Sequence, residues 1–207
     1  ALANMFNYNN NDITLWSKFE EEINYIKDNN KIKVLPNITL PNNYKYTTNL
    51  KEAVNNSNLI VIAVPAFAVN DVCISLSKYY KNYMHICIAT KGIEQNTGYF
   101  MNDIVEKYIK TNNIAVIYGG TFAIDMFDNP LIGLTLATKN KETENIIKKC
   151  LESKHLKLRV TNDILGIEIC GAIKNVFAIA SGILDGLGYN SSTNSMFIVE
   201  SLINIKK

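Results

Sequence analysis

With 207 residues, 47 % of them hydrophobic, and a formal net charge of +2, the chain carries enough apolar material for one large or two small globular domains and is too apolar for a disordered polypeptide. Its lysines are dispersed and no recognition-helix or RNA-binding signature occurs, so nucleic acid is not an expected partner. Cys73, Cys87, Cys150 and Cys170 stand far apart, without a Cys-x-x-Cys pair and with only His85 and His155 to join them, which speaks against a metal centre or a disulfide framework and for reduced thiols in a cytoplasmic setting.

In chain order, Ala1 to Phe6 reads as a helix already under way. Four β-branched runs follow: Ile13 to Trp16, Leu59 to Val64, Ile86 to Ala89 and Ile114 to Ile117. Their apolar positions are continuous rather than alternating, as expected for parallel strands covered on both faces. Val69 to Lys81, Tyr99 to Ile109 and Glu142 to Leu151 have the 3.6-residue apolar period of crossover helices. The layout is α/β, a Rossmann-like doubly wound sheet. Such a sheet opens on a strand and a Gly-x-Gly-x-x-Gly turn, and neither precedes Ile13, so the first strand and glycine loop are expected to be missing. After about Asp163 the strand rhythm stops. Two apolar helices, Ile164 to Leu187 and about Ser195 to Ile205, lead to an abrupt Lys206-Lys207, and the chain reads as cut at both ends. The expected division is 1–162, a partial nucleotide-binding domain, and 163–207, the beginning of a helical substrate domain.

The longest apolar run contains Lys174 and Asp185, so no membrane span is expected, and no secretory signal is seen. Counting 3.6 residues per turn from Lys174 puts Gly171, Ala178, Ser181, Gly182 and Asp185 within roughly a quarter-turn of its direction. Ile164, Leu165, Phe177 and Leu184 point elsewhere, which leaves the lysine face open to a ligand, a strand end or another helix. An ammonium among apolar residues either snorkels to water or has a task that offsets its desolvation, and both readings stand on pattern alone.

Five segments together resemble bacterial-type NAD(P)-dependent glycerol-3-phosphate dehydrogenase, from residue 1 to about residue 198. They are Leu15-Trp16-Ser17-Lys18, Ala63-Val64-Pro65-Ala66-Phe67-Ala68, Ala89-Thr90-Lys91-Gly92-Ile93-Glu94, Tyr118-Gly119-Gly120-Thr121-Phe122-Ala123, and Gly171-Ala172-Ile173-Lys174-Asn175 running on to Gly182 through Gly188. The resemblance implies a nucleotide domain followed by a helical substrate domain, with the site between them. It further implies a hydride transfer between NAD or NADP and a phosphorylated triose, interconverting dihydroxyacetone phosphate and sn-glycerol 3-phosphate for glycerophospholipid synthesis and carbohydrate metabolism in the cytoplasm. Lys174 matches the general acid/base lysine, and Lys91 lies at cofactor and substrate together. Gly119, Thr121 and Asn175 match substrate contacts, Ala123 matches a cofactor contact, and Lys18, standing where an acid would favour NAD, leans towards NADPH. Burial against Gly171 and Ala178 and a second ammonium from Lys91 are expected to favour a neutral Lys174. Pairing of two copies is left open.

Two departures stand out. The family has Ser-Gly-Pro-Ser/Thr-Phe-Ala where this chain has Tyr118 to Ala123, with Gly120 in place of the proline that would hold φ fixed. The family's Thr-Arg-Gly becomes Val199-Glu200-Ser201, a carboxylate where a cation is expected. Two rival readings follow: a related β-hydroxyacid dehydrogenase, and a non-catalytic remnant of a split or decaying dehydrogenase. The isolated chain is expected to be inactive.

Overall fold

The computed structural model describes residues 1–127 and 131–206. A short helix α1 (Leu2–Asn7) leads into strand β1 (Thr14–Trp16), helix α2 (Glu20–Asn29), a hairpin of β2 (Lys31–Ile32) and β3 (Leu35–Thr39), strand β4 (Lys45–Thr47) and helix α3 (Leu50–Val54). Then come β5 (Leu59–Ile62), α4 (Ala66–Leu76), β6 (His85–Ile88), α5 (Met101–Ile109), β7 (Ile114–Tyr118), β8 (Ile132–Ala137), α6 (Lys141–Leu151) and β9 (Leu156–Thr161). Two helices close the chain, α7 (Ile164–Gly186) and α8 (Ser191–Ile205).

The main sheet has the order β5-β6-β7-β8-β9. The continuous apolar runs of its first three strands are explained by cover on both faces, with alternate side chains feeding different cores. Ile86, Ile88, Ile114 and Val116 join Val69, Cys73 and Leu76 of α4 and Ile104 and Val105 of α5 on one face. Cys87, Ala115 and Ile117 join Met5 and Phe6 of α1 and Ile147 and Leu151 of α6 on the other. Helices on both faces bear out the doubly wound reading.

The sheet is mixed rather than wholly parallel: β5, β6 and β7 run parallel, β8 runs antiparallel to β7, and β9 is parallel to β8. Strand β9 escaped the sequence reading because Lys157 and Arg159 face water while Leu156 and Leu158 are buried, and β8 because exposed Gly133 and half-buried Thr135 interrupt its apolar run. Strands β1 and β4 pair parallel in a small sheet of their own, and β2 and β3 form another.

Helix α7 starts where Thr161-Asn162-Asp163 signals it: the Asp163 carboxylate accepts from the Gly166 N–H at 2.8 Å. Its 23 residues have the length of a membrane span, and an 18-residue window within them, with mean hydropathy 1.6, has the apolarity of one. Its first half is tied to the α/β unit, however, through buried Glu168 and Gly171. Its second half packs on α8, where Phe177 meets Phe197 at 6.2 Å and the Ser181 hydroxyl donates to Asn194 Oδ1 at 2.7 Å, while Val176, Ile179 and Ile183 remain exposed.

All four cysteines are free. Burial pushes the thiols of Cys73 and Cys87 up to about 12, and Cys170 is exposed. Since the thiolate is the reactive form, a thiol reagent at neutral pH should modify Cys170 first, and Cys73 and Cys87 only after unfolding. Mass spectrometry of labelled digests reads the order directly.

Candidate active site

The carboxyl ends of β5, β6 and β7 meet at one edge of the sheet, where open α/β folds place ligands. Just beyond β6 the chain is stitched to its neighbour. The Ala89 N–H donates to the Ile62 carbonyl at 2.8 Å, and the Thr90 hydroxyl donates to the Val64 carbonyl at 2.7 Å. That fixes the start of the Lys91 segment. Lys91 is half-buried, and its Nζ donates to the Gly119 carbonyl at 3.2 Å, just past the end of β7.

Beneath the ammonium lies the ring of Tyr118, the last residue of β7, with its centroid 5.6 Å from Nζ. The Tyr118 hydroxyl donates to the Thr90 carbonyl at 2.5 Å. Burial, followed by the nearby Glu168 carboxylate, drives the Tyr118 phenol well above the ordinary range. On its other side the ring presses against α7 at Gly171, where a Cβ would come within 2.5 and 2.6 Å of two ring carbons. Only glycine lets helix and ring come this close. A similar approach holds at Gly119, whose missing Cβ would lie 2.9 Å from the Gly133 carbonyl oxygen of β8.

One turn past Gly171, half-buried Lys174 reaches the same region, and its charge is felt at Lys91. Burial first, and the Lys174 ammonium second, hold the Lys91 amine below the ordinary lysine value. The two ammonium groups are thus near enough for the charge of one to act on the other, and the effect falls on Lys91. Burial on the Lys174 side is less than the small-residue face suggested, since Ala178 is exposed and a Cβ at Gly182 would meet nothing within 4 Å.

Among the other expected site residues, Gly119 and Thr121 are half-buried on the segment after β7, and Ala123 follows, exposed, at the start of a 3-10 turn over Ile124–Met126. Asn175 is exposed beside Lys174. Lys18 is exposed beyond the carboxyl end of β1, on the separate small sheet, and makes none of the contacts around Lys91. Among the described residues no cluster of His, Cys, Asp or Glu is arranged to hold a metal ion.

Two residues of this neighbourhood were not singled out from the sequence as site residues. Tyr118 stands there only as the first residue of the segment that departs from the family pattern, just past the Ile114 to Ile117 run. Glu168 is the sole charged residue between Ile164 and Ile173, and that isolation is the signal for it. It is 2 % exposed and accepts from the Asn102 N–H, in the first turn of α5, at 2.9 Å. A carboxylate suits a helix N-terminus. Desolvation nevertheless dominates and pushes Glu168 up to about 7, helped by the charges of Asp103 and Glu106.

Residues 1–144 match the family profile described as NAD-dependent glycerol-3-phosphate dehydrogenase N-terminus, and residues 163–207 match that of its C-terminus. A curated relative from Fusobacterium nucleatum, named glycerol-3-phosphate dehydrogenase [NAD(P)+], is 35 % identical over 99 % of this chain and 62 % of its own length. One of the same name from Haemophilus influenzae is 30 % identical over the whole chain and 63 % of its own length. The crystal structure of glycerol-3-phosphate dehydrogenase from Coxiella burnetii superposes with a TM-score of 0.91 at 25 % identity, over 99 % of this chain and 63 % of that one. The chain thus spans a little over three-fifths of the length of these relatives. With the profile match covering most of the sequence, and the sheet and first helices superposing on a solved member, the chain belongs to the NAD-dependent glycerol-3-phosphate dehydrogenase family.

Proposed function

We propose that the protein is an oxidoreductase interconverting dihydroxyacetone phosphate and sn-glycerol 3-phosphate with NAD or NADP, working in the cytoplasm and feeding glycerophospholipid synthesis. The observation that carries this reading is Lys91, anchored on the Gly119 carbonyl at 3.2 Å beyond the carboxyl end of β6, with the charge of Lys174 on α7 felt at its ammonium. Two ammonium groups held together repel each other, and an anionic ligand between them relieves the repulsion. A donor set of this kind fits a phosphorylated triose.

When bound, the nicotinamide cofactor supplies the hydride. The chain's own residues manage charge and a proton. As hydride reaches the substrate carbonyl carbon, the carbonyl oxygen gains negative charge, which Lys91, anchored on the Gly119 carbonyl, stabilises. Lys174 gives that oxygen a proton and leaves as a neutral amine; in the reverse direction it takes the proton from the alcohol. Gly119 and Thr121 line the substrate side, with Asn175 next to Lys174. Ala123 and Lys18 contribute to the cofactor side, Lys18 favouring the phosphate of NADPH.

The reading is tested on the gene product expressed in full, by following loss of reduced-nicotinamide absorbance. Oxidation dependent on dihydroxyacetone phosphate, and absent with 2-keto acids, is the expected result. Activity on a 2-keto acid alone selects a β-hydroxyacid dehydrogenase, and inertness with all of these substrates selects a non-catalytic remnant.

A further inference from the structure

Tyr118, at the end of β7, touches both the Lys91 segment and helix α7. Its ring lies under the Lys91 ammonium with the centroid 5.6 Å from Nζ, its hydroxyl holds the Thr90 carbonyl at 2.5 Å, and its edge fills the hollow that Gly171 leaves on α7. The residue is 6 % exposed, so its ring and hydroxyl make these contacts from within the core. Three consequences follow from the geometry. The hydroxyl fixes the peptide plane between Thr90 and Lys91, and with it the direction in which Lys91 leaves the backbone. The π face draws the ammonium towards Gly119 and favours its charged form, opposing burial and the Lys174 charge. The reach of the ring edge sets how closely α7, and with it Lys174, approaches the end of β7.

We propose that Tyr118 is the positioning residue of this site, setting the spacing between Lys91 and Lys174 and the orientation of the Lys91 ammonium. The part played by that lysine pair rests on the dehydrogenase reading above, while the positioning itself is a property of the folded chain.

The test uses Tyr118→Phe and Tyr118→Leu and two readouts independent of turnover. In the phenylalanine variant the ring stays and the bond to Thr90 is lost. Hydrogen exchange of the 89–92 segment should quicken about tenfold, while helix α6 on the opposite face exchanges as before, and the Lys91 titration, followed by pH-dependent acylation and mass spectrometry, should hold its midpoint. In the leucine variant the π face is lost as well. The Lys91 midpoint should fall by about half a pH unit, a roughly threefold larger share of neutral amine at fixed pH. Equal acceleration in 89–92 and α6 would mean a merely structural role and overturn the proposal, as would exchange in 89–92 that does not change. A Lys91 midpoint unmoved in a folded Tyr118→Leu protein overturns it too, and should that variant not fold, the phenylalanine exchange data decide alone. A gene product that fails to turn over the triose phosphate, yet shows these local changes, removes the dehydrogenase reading and leaves the positioning role intact.

Discussion

Replacing Lys174 by alanine is expected to lower kcat for reduction of dihydroxyacetone phosphate by roughly 10²- to 10⁴-fold in the full gene product, the range for loss of a general acid. The fold should survive, because Lys174 is only half-buried and alanine suits a helix interior. The informative companion is Lys174→Arg. A guanidinium keeps the positive charge beside Lys91 but does not give up its proton in the working pH range. If Lys174 acts by proton transfer, arginine is nearly as poor as alanine; if it acts only as a fixed charge, arginine recovers most of the rate. Steady-state kinetics of the two variants at saturating cofactor separates the roles, and wild-type kcat in either would remove Lys174 from the chemistry.

Lys91 carries the opposite expectation in the same experiment. Part of what holds its amine below the ordinary value is the Lys174 ammonium, so Lys174→Ala should raise the Lys91 midpoint and Lys174→Arg should leave it low. That result links the two lysines without reference to substrate.

How far this site was legible beforehand follows from what each residue's signal depends on. Strands β5, β6 and β7 stand out because cover on both faces makes every position apolar, a pattern visible in one dimension. Strands β8 and β9 do not, since Gly133 and Thr135 interrupt the first and Lys157 and Arg159 the second, and the reversed direction of β8 has no local mark at all. Helix α7 was legible from its length and from the Asp163 cap. Lys174 is visible as a charge in apolar surroundings, whereas Lys91 looks like any lysine after a strand, and its pairing with Lys174 emerges only through resemblance and then through the fold. The interlock of Tyr118 with Gly171 joins residues from β7 and α7 and has no signature in either segment.

Glu168 gives the chain a pH dependence of definite sign. Its carboxyl is held at about 7 in the folded state against an ordinary 4.5. Below about 4.5 it is protonated whether the chain is folded or not, and burial carries no electrostatic penalty. Between about 4.5 and 7 the unfolded chain releases the proton while the folded one keeps it, so the unfolded state is favoured progressively as pH rises. Above about 7 both forms are ionised, and the full loss has been incurred. The shift corresponds to at most about 3.5 kcal/mol, since one pK unit is worth about 1.4 kcal/mol. Glutamine keeps the shape and an oxygen to accept from Asn102 but never ionises. Glu168→Gln should therefore match the wild type in urea midpoint near pH 4.5 and exceed it increasingly up to pH 7.5. Asp103 and Glu106 on α5 add repulsion to the ionised carboxylate, so neutralising either should shrink the difference between wild type and Glu168→Gln. A gap between the two unfolding curves that stays constant from pH 4.5 to 7.5 would show that Glu168 is ionised throughout, held by the first turn of α5 more strongly than burial opposes it.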